Sequence, residues 1–256
     1  MKNKFFSILL VLVLILTGLA VKPVEAGAYS TPFTTSITYQ NVGTGPASIS
    51  LSFFAESSAS PVTINLPQLA KLAGTSIYVG SVSNIANGFK GSAVMTSDQP
   101  IVATLVQVAA ATTPVKVRPL SNGFTSGSSY VLVPTVLKGT FGYNSIFTVQ
   151  NVSDTPVDIT VTFVPVSGSF VVYSIDGLPA GAAKYFDMGT DVIPGIGDTF
   201  NGAVTLDSTG PIVATSIELQ TTGALNYAFE GVNQGSTTVY VPSALCKYNN
   251  ADASYA

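Results

Sequence analysis

FDMGTDVIPGIGD (186–198) places Asp187, Asp191 and Asp198 within twelve residues of one another, in a stretch rich in Gly and Pro. Calcium takes several carboxylate and carbonyl oxygens, and a loop of this kind supplies both. The three acids are therefore a candidate calcium set. Their spacing is not that of an EF-hand. The matching stretch in the first half of the chain, YVGSVSNIANG (78–88), has no acid at all, so a solvated loop is the competing reading.

Other chemistry is thinner. Asp207-Ser208-Thr209-Gly210 resembles the Asp-Thr/Ser-Gly of aspartic proteases with one residue added. Such enzymes need two carboxylates sharing a proton. The matching residues Thr96-Ser97-Asp98-Gln99 put no second Asp at that place, and a turn explains both stretches. The chain has no histidine, which excludes Ser-His-Asp and Cys-His nucleophilic sites and His-ligated zinc. A single cysteine, Cys246, cannot supply a zinc ligand set or an intrachain disulfide. It reads as a buried small residue, or as a cross-link between chains. GTGP (43–46) and PGIG (194–197) lack the Lys and following helix of a phosphate loop and read as turns. The expectation is no catalytic residue, no cofactor and no enzyme.

Bulk composition agrees. Charged residues make up 9% of 256, against about 25% in ordinary soluble domains. Ser, Thr, Gly, Asn and Gln take their place, which suits strands with hydroxyl-bearing outer faces better than surface helices. At the start, Lys2 and Lys4 precede an unbroken apolar run from Phe5 to about Ala20, followed by Val24-Glu25-Ala26. That is the pattern of a cleaved signal peptide over residues 1–26. The run is short for a membrane span of roughly 20 residues, and no second one follows. Without Lys2, Lys4, Lys22 and Glu25, the 10 basic and 13 acidic residues fall to 7 and 12. A mildly acidic chain with no Lys/Arg cluster points away from nucleic acid and anionic lipid.

The chain writes one line twice. SITYQNVGTGPASISLSF (36–53) lies over IFTVQNVSDTPVDITVTF (146–163) with 7 of 18 residues identical at an offset of 110. FKGSAVMTSDQPIVAT (89–104) lies over FNGAVTLDSTGPIVAT (200–215) with 8 of 16 identical at an offset of 111. GSSYVLVP (127–134) lies over GSTTVYVP (235–242) at 108. The period is that of a domain rather than of a solenoid repeat of about 20–50 residues. The Val-Pro strand most simply closes each unit. This gives a first repeat over 27–134, a linker over 135–145, a second repeat over 146–242, and 243–256 as a tail or the start of a truncated third.

Strands follow from periodicity. Val157, Ile159, Val161 and Phe163 alternate with polar residues, as do Ala47, Ile49, Leu51 and Phe53, which predicts strands with one buried face. SITYQN and IFTVQN read as their hairpin partners across a loop of about five residues. GSAVM and GAVTL, then PIVATLVQV (100–108) and PIVATSIEL (211–219), read as strands separated by the turns TSDQP and DSTGP. Val213, Thr215, Ile217 and Leu219 share one face. LPQLAKLAG (66–74) is at most one helical turn. Asn151-Val152-Ser153 is a glycosylation sequon, but Asn41-Val42-Gly43 is not. An Asn shared by both copies points to a side chain bonded to backbone in the turn. The fold class expected is all-β: two tandem Ig-like, Greek-key β-sandwich domains after the signal peptide. The Cys…Trp…Cys signature of true immunoglobulin domains is absent.

Val133-Pro134, Lys138, Gly142, Asn144, Ser145, Phe147 and Val149-Gln150-Asn151 resemble a motif of tandem modules in secreted bacterial cell-surface proteins, as does the GSAVMTSDQPIVA text. The resemblance covers essentially all of the chain after the signal peptide. Copy one lacks the Lys-containing lead-in. The resemblance implies stalk, adhesive or envelope-layer elements. In some of these a Lys–Asn isopeptide bond crosses the core, and Lys184 is the lysine here that would make one. The function expected is a secreted, non-enzymatic structural or adhesive protein of the cell surface or extracellular matrix. Its partners would be other envelope or matrix proteins or cell-wall glycan. It would also self-associate through strand edges, with YVLVP or VYVP as a donated strand. The alternative is an extracellular carbohydrate- or cell-wall-binding module, which the absence of Trp weakens.

Overall fold

The computed structural model describes residues 33–109, 118–221, 225–240 and 242. The expected signal peptide, Cys246 and the segment 243–256 lie outside them. The described chain is all-β, and its helical content is one short 3₁₀ turn, Val79–Ser81. No helical turn forms over 66–74.

Fourteen strands follow in order: β1 Phe33–Asn41, β2 Ile49–Ala55, β3 Pro61–Asn65, β4 Gly74–Tyr78, β5 Gly91–Ser97, β6 Ile101–Ala109, β7 Leu120–Asn122, β8 Ser128–Lys138, β9 Tyr143–Asn151, β10 Val157–Pro165, β11 Val171–Leu178, β12 Ala183–Asp187, β13 Phe200–Gln220 and β14 Asn226–Glu230. In the first copy they form a four-stranded sheet, β4-β1-β6-β7, and a three-stranded sheet, β3-β2-β5. In the second copy a seven-stranded sheet has the order β11-β10-β13-β9-β12, with β8 and β14 also on β13. All the pairings are antiparallel. Inward residues of β1, β4 and β6 meet those of β2 and β5 in shared apolar clusters, an arrangement compatible with a β-sandwich.

The alternation lands where it was expected. Ala47, Ile49, Leu51 and Phe53 are buried, and so are Val157, Ile159, Val161 and Phe163. The predicted hairpin is corrected. β1 pairs with β4 and β6, while β2 pairs with β3 and β5. The same holds for β9 and β10. In the first copy the loop is thus an arch from one sheet to the other, and in the second it joins strands that pair with successive parts of β13; the shared asparagine holds it in both. Asn151, fully buried, donates through Nδ2 to the carbonyls of Thr155 (2.7 Å) and Leu178 (2.9 Å). Its Oδ1 accepts from the Ser153 N–H at 2.8 Å and the Ser153 hydroxyl at 2.7 Å. Asn41 donates to the carbonyls of Gly45 (2.8 Å) and Leu69 (3.1 Å) and accepts from the Gly43 N–H at 2.9 Å. One side chain therefore satisfies the arch and ties it to the loop entering the neighbouring strand. A buried amide bonded in this way is closed to glycosylation.

Two further boundaries move. The turn expected at DSTGP is extended chain. β13 ladders with β10 over 202–208 and with β9 over 212–220, shifting register between Asp207 and Ile212. The strand passes from one set of partners to the other without reversing. Residues 135–138 and 143–145 of the expected linker are strand as well. β8 runs to Lys138, β9 starts at Tyr143, and β8 pairs with β13 from Phe200↔Lys138 to Asp207↔Tyr130. The Val-Pro strand of 127–134 therefore lies in the sheet of the second copy, and YVLVP is not free to be donated. Gly202 marks how closely these strands approach, since a Cβ there would stand 2.2 Å from the Val164 carbonyl oxygen. Its counterpart Gly91 meets the Phe54 carbonyl in the same way.

Asn151→Ala leaves buried backbone groups of the arch without partners, each worth about 1–3 kcal/mol. Urea denaturation should show a loss of about 2–4 kcal/mol, and Asn41→Ala should lose a similar amount. Mass spectrometry of the chain made in a glycosylating host should find Asn151 unmodified.

Candidate functional site

The acids that could do chemistry are scattered. Asp187 and Asp191 come together only as the two ends of a turn. The Asp187 N–H donates to Asp191 Oδ2 at 2.8 Å, the Asp191 N–H donates to the Asp187 carbonyl at 2.7 Å, and the Asp187 carboxylate accepts from the Gly189 N–H at 3.0 Å. Asp198 does not complete a set with them. Among the described residues, no group of three or more His, Cys, Asp or Glu is placed to hold a metal ion. Asp207 borders a shallow depression of about 290 Å³ with Asp158 and Asp176, on the surface of β10, β11 and β13. The Asp158 carboxylate is occupied by the Gly177 N–H at 2.7 Å.

A larger concavity lies elsewhere. A cleft of about 1750 Å³ opens between the copies. That is larger than the roughly 300–1,000 Å³ of small-molecule pockets. One wall is β5 and the sheet edge behind it, reaching the inner residues Ile37, Leu51 and Phe53. The opposite wall is the outer face of β9 and the second part of β13, with Thr148, Gln150, Val213, Thr215 and Ile217. The face that Val213, Thr215 and Ile217 share therefore borders the cleft, whereas Ile212 and Ala214 enter the core.

One acid organises the junction beneath this cleft. Glu56, just beyond β2, is 3.0 Å from Lys90 Nζ through Oε2 and 3.2 Å from Lys184 Nζ through Oε1. The Tyr185 N–H also donates to Glu56 Oε1, at 3.1 Å. Burial alone would raise the Glu56 carboxyl. The Tyr185 hydrogen bond and the two ammonium groups outweigh it and hold the group below the ordinary carboxylate range. The Tyr185 hydroxyl donates to the Gly91 carbonyl, and Lys90 sits 4.9 Å from the Tyr185 ring centroid. Burial, then the Glu56 charge, push that phenol up to about 12. Ser92 Oγ donates to the Gly181 carbonyl at 2.6 Å, and the Ser57 N–H to the Ala183 carbonyl at 3.0 Å. Gly181 has φ +75°, and a Cβ there would meet the Phe54 ring at 2.5 Å, so the position is closed to other residues on both counts. Lys184 thus pairs with a carboxylate of the other copy, and the isopeptide expectation finds it facing Glu56.

Reading the sequence did not single out Glu56, Lys90 or Tyr185. The signal lay in the places where the copies differ. At the matching positions the other copy has Val166 and Asn201, and Ser76 by its strand pairing.

No protein-family description, curated protein or solved structure matches this chain.

Because Glu56 is held below its ordinary pKa of about 4.3, its contribution is complete above that value and is lost as pH falls through the lower folded value. Glu56→Gln should lower the melting temperature at neutral pH. The gap between the two proteins should close as a pH series descends below the ordinary carboxylate range.

Proposed function

We propose that this chain is a secreted, non-enzymatic structural or adhesive element of the cell surface or extracellular matrix, built from two Ig-like, Greek-key β-sandwich modules. It works by association rather than by bond-making. The observation that carries the reading is the edge of β5. Among the described residues, β5 has β2 as its one strand partner, whereas the matching part of β13 lies between β10 and β8. An unpaired strand edge beside an apolar-lined cleft is a template for another chain. The frame around it repeats its core and arch residues. The resemblance to bacterial surface modules supports the same reading, and the signal-like start of the chain supports export.

Sedimentation velocity across a wide concentration range, with pull-down on purified envelope and cell-wall material, tests this. Concentration-dependent assembly or retention on the envelope is expected. A chain that stays monomeric and is retained by neither protein nor polysaccharide fractions would sink the proposal. Retention on glycan alone would favour the carbohydrate-binding alternative.

A further inference from the structure

The two copies are unequally closed. In the second, β8 lies against β13 and buries Val131, Val133 and Val136 at 3%, 0% and 0% exposure, in a cluster of 19 buried residues. In the first, the two clusters hold 4 and 3 such residues. Val204 and Leu206 are fully buried beside β8, but their counterparts Ala93 and Met95 on β5 are only partly covered. Copy one therefore has the β8 position open along the cleft among the described residues.

The chain also carries a second β8-like sequence. GSTTVYVP (235–242) matches GSSYVLVP (127–134). Val239 is 74% exposed where its counterpart Val131 is 3%, and Tyr240 is 89% exposed. One copy has a slot without its strand, and one segment is such a strand without its slot. We infer that residues 235–242 of one molecule add to the β5 edge of a second copy of this chain, building a head-to-tail assembly. The inference rests on the associative reading above and names its partner.

The register follows from the pairs Val204↔Val133, Thr205↔Leu132, Leu206↔Val131 and Asp207↔Tyr130. Carried to the matching residues, it sets Val94 opposite Tyr240, Met95 opposite Val239 and Thr96 opposite Thr238. Val239 then enters the opening over Leu51 and Phe53. The arriving backbone takes over the Ala93 carbonyl, which Gln150 Nε2 reaches only at 3.5 Å. The Tyr185 contact to Gly91 bounds the slot at its far end. A head-to-tail contact of this kind is heterologous, so it propagates as a filament unless the rotation closes a ring.

The test mixes two full-length chains, both with Cys246→Ser, one bearing Val94→Cys and the other Tyr240→Cys. Directly opposed cross-strand residues lie within disulfide range. Oxidation should give the mixed dimer, at least about ten-fold more than when Thr238→Cys replaces Tyr240→Cys. A single chain bearing both cysteines should form multimers whose yield falls on dilution. Val239→Asp lies on an exposed residue and leaves folding intact. It should weaken association at least about ten-fold, because the strand would carry an unpaired carboxylate into the core. Three results would overturn the inference: no mixed disulfide, a dilution-independent link within one chain, or an undisturbed assembly of the Val239→Asp variant. If the chain still assembles or binds envelope material in those cases, the associative function stands and only this interface falls. A chain that does neither removes both.

Discussion

A strand buried at a sheet edge must find partners for its N–H and C=O groups, and most of this structure follows from how each copy meets that demand. At both arches the backbone leaves one ladder before it joins another. Asn41 and Asn151 bridge that gap, each with one acceptor and two donor hydrogens used. Aspartate lacks the donors and serine lacks the reach. This explains why the residue recurs at an offset of 110 while the arch residues between Val42 and Pro46 diverge.

Closure is where the copies part. The second copy takes β8 into its sheet, and its aromatic core tightens around the result. Phe147 stacks on Phe186 at 4.6 Å, and Phe163 meets both Phe147 and Phe200 edge-on at 5.9 Å. The first copy has Phe53 against Phe89 at 6.1 Å, and its Met95 and Ala93 stay partly open to the cleft. Each fully buried apolar side chain contributes about 1.5–3 kcal/mol over an exposed one. Among the described residues, the open β5 edge is therefore a deficit of several kcal/mol, concentrated on one side of one copy. That deficit is a driving force for whatever fills the slot.

Much of this was legible beforehand. Period-two alternation reports which face of a strand is buried, so β2 and β10 were found with their inward residues, and β5 and β6 were found as strands. Alternation does not report which strand lies alongside. β1 and β2 are joined by a short turn-like loop and so read as a hairpin, although their ladders run to β4, β6, β3 and β5. The phase of the unit failed for the same reason. YVLVP follows the first copy in sequence but pairs with the second in space. A repeat identifies equivalent residues, not the neighbours that complete them. The acids of 187–198 looked like a loop set because their spacing is short. Yet Asp187 and Asp191 spend their bonds on the turn itself.

The junction shows why those neighbours escaped a reading by repeats. Residues that pack a copy against itself are the ones duplication preserves, because both copies need them. Residues that join one copy to the other face different surroundings on each side and are free to diverge. Glu56 and Lys184 stand 128 positions apart, and neither is matched by a charge in the other copy. In a chain with so few charges, an acid flanked by two lysines is a costly feature to keep partly buried. Its bonds to the Tyr185 backbone and to both ammonium groups orient the outer face of β9 and β13 toward the β5 edge. The walls of the cleft are thus held by residues from both copies.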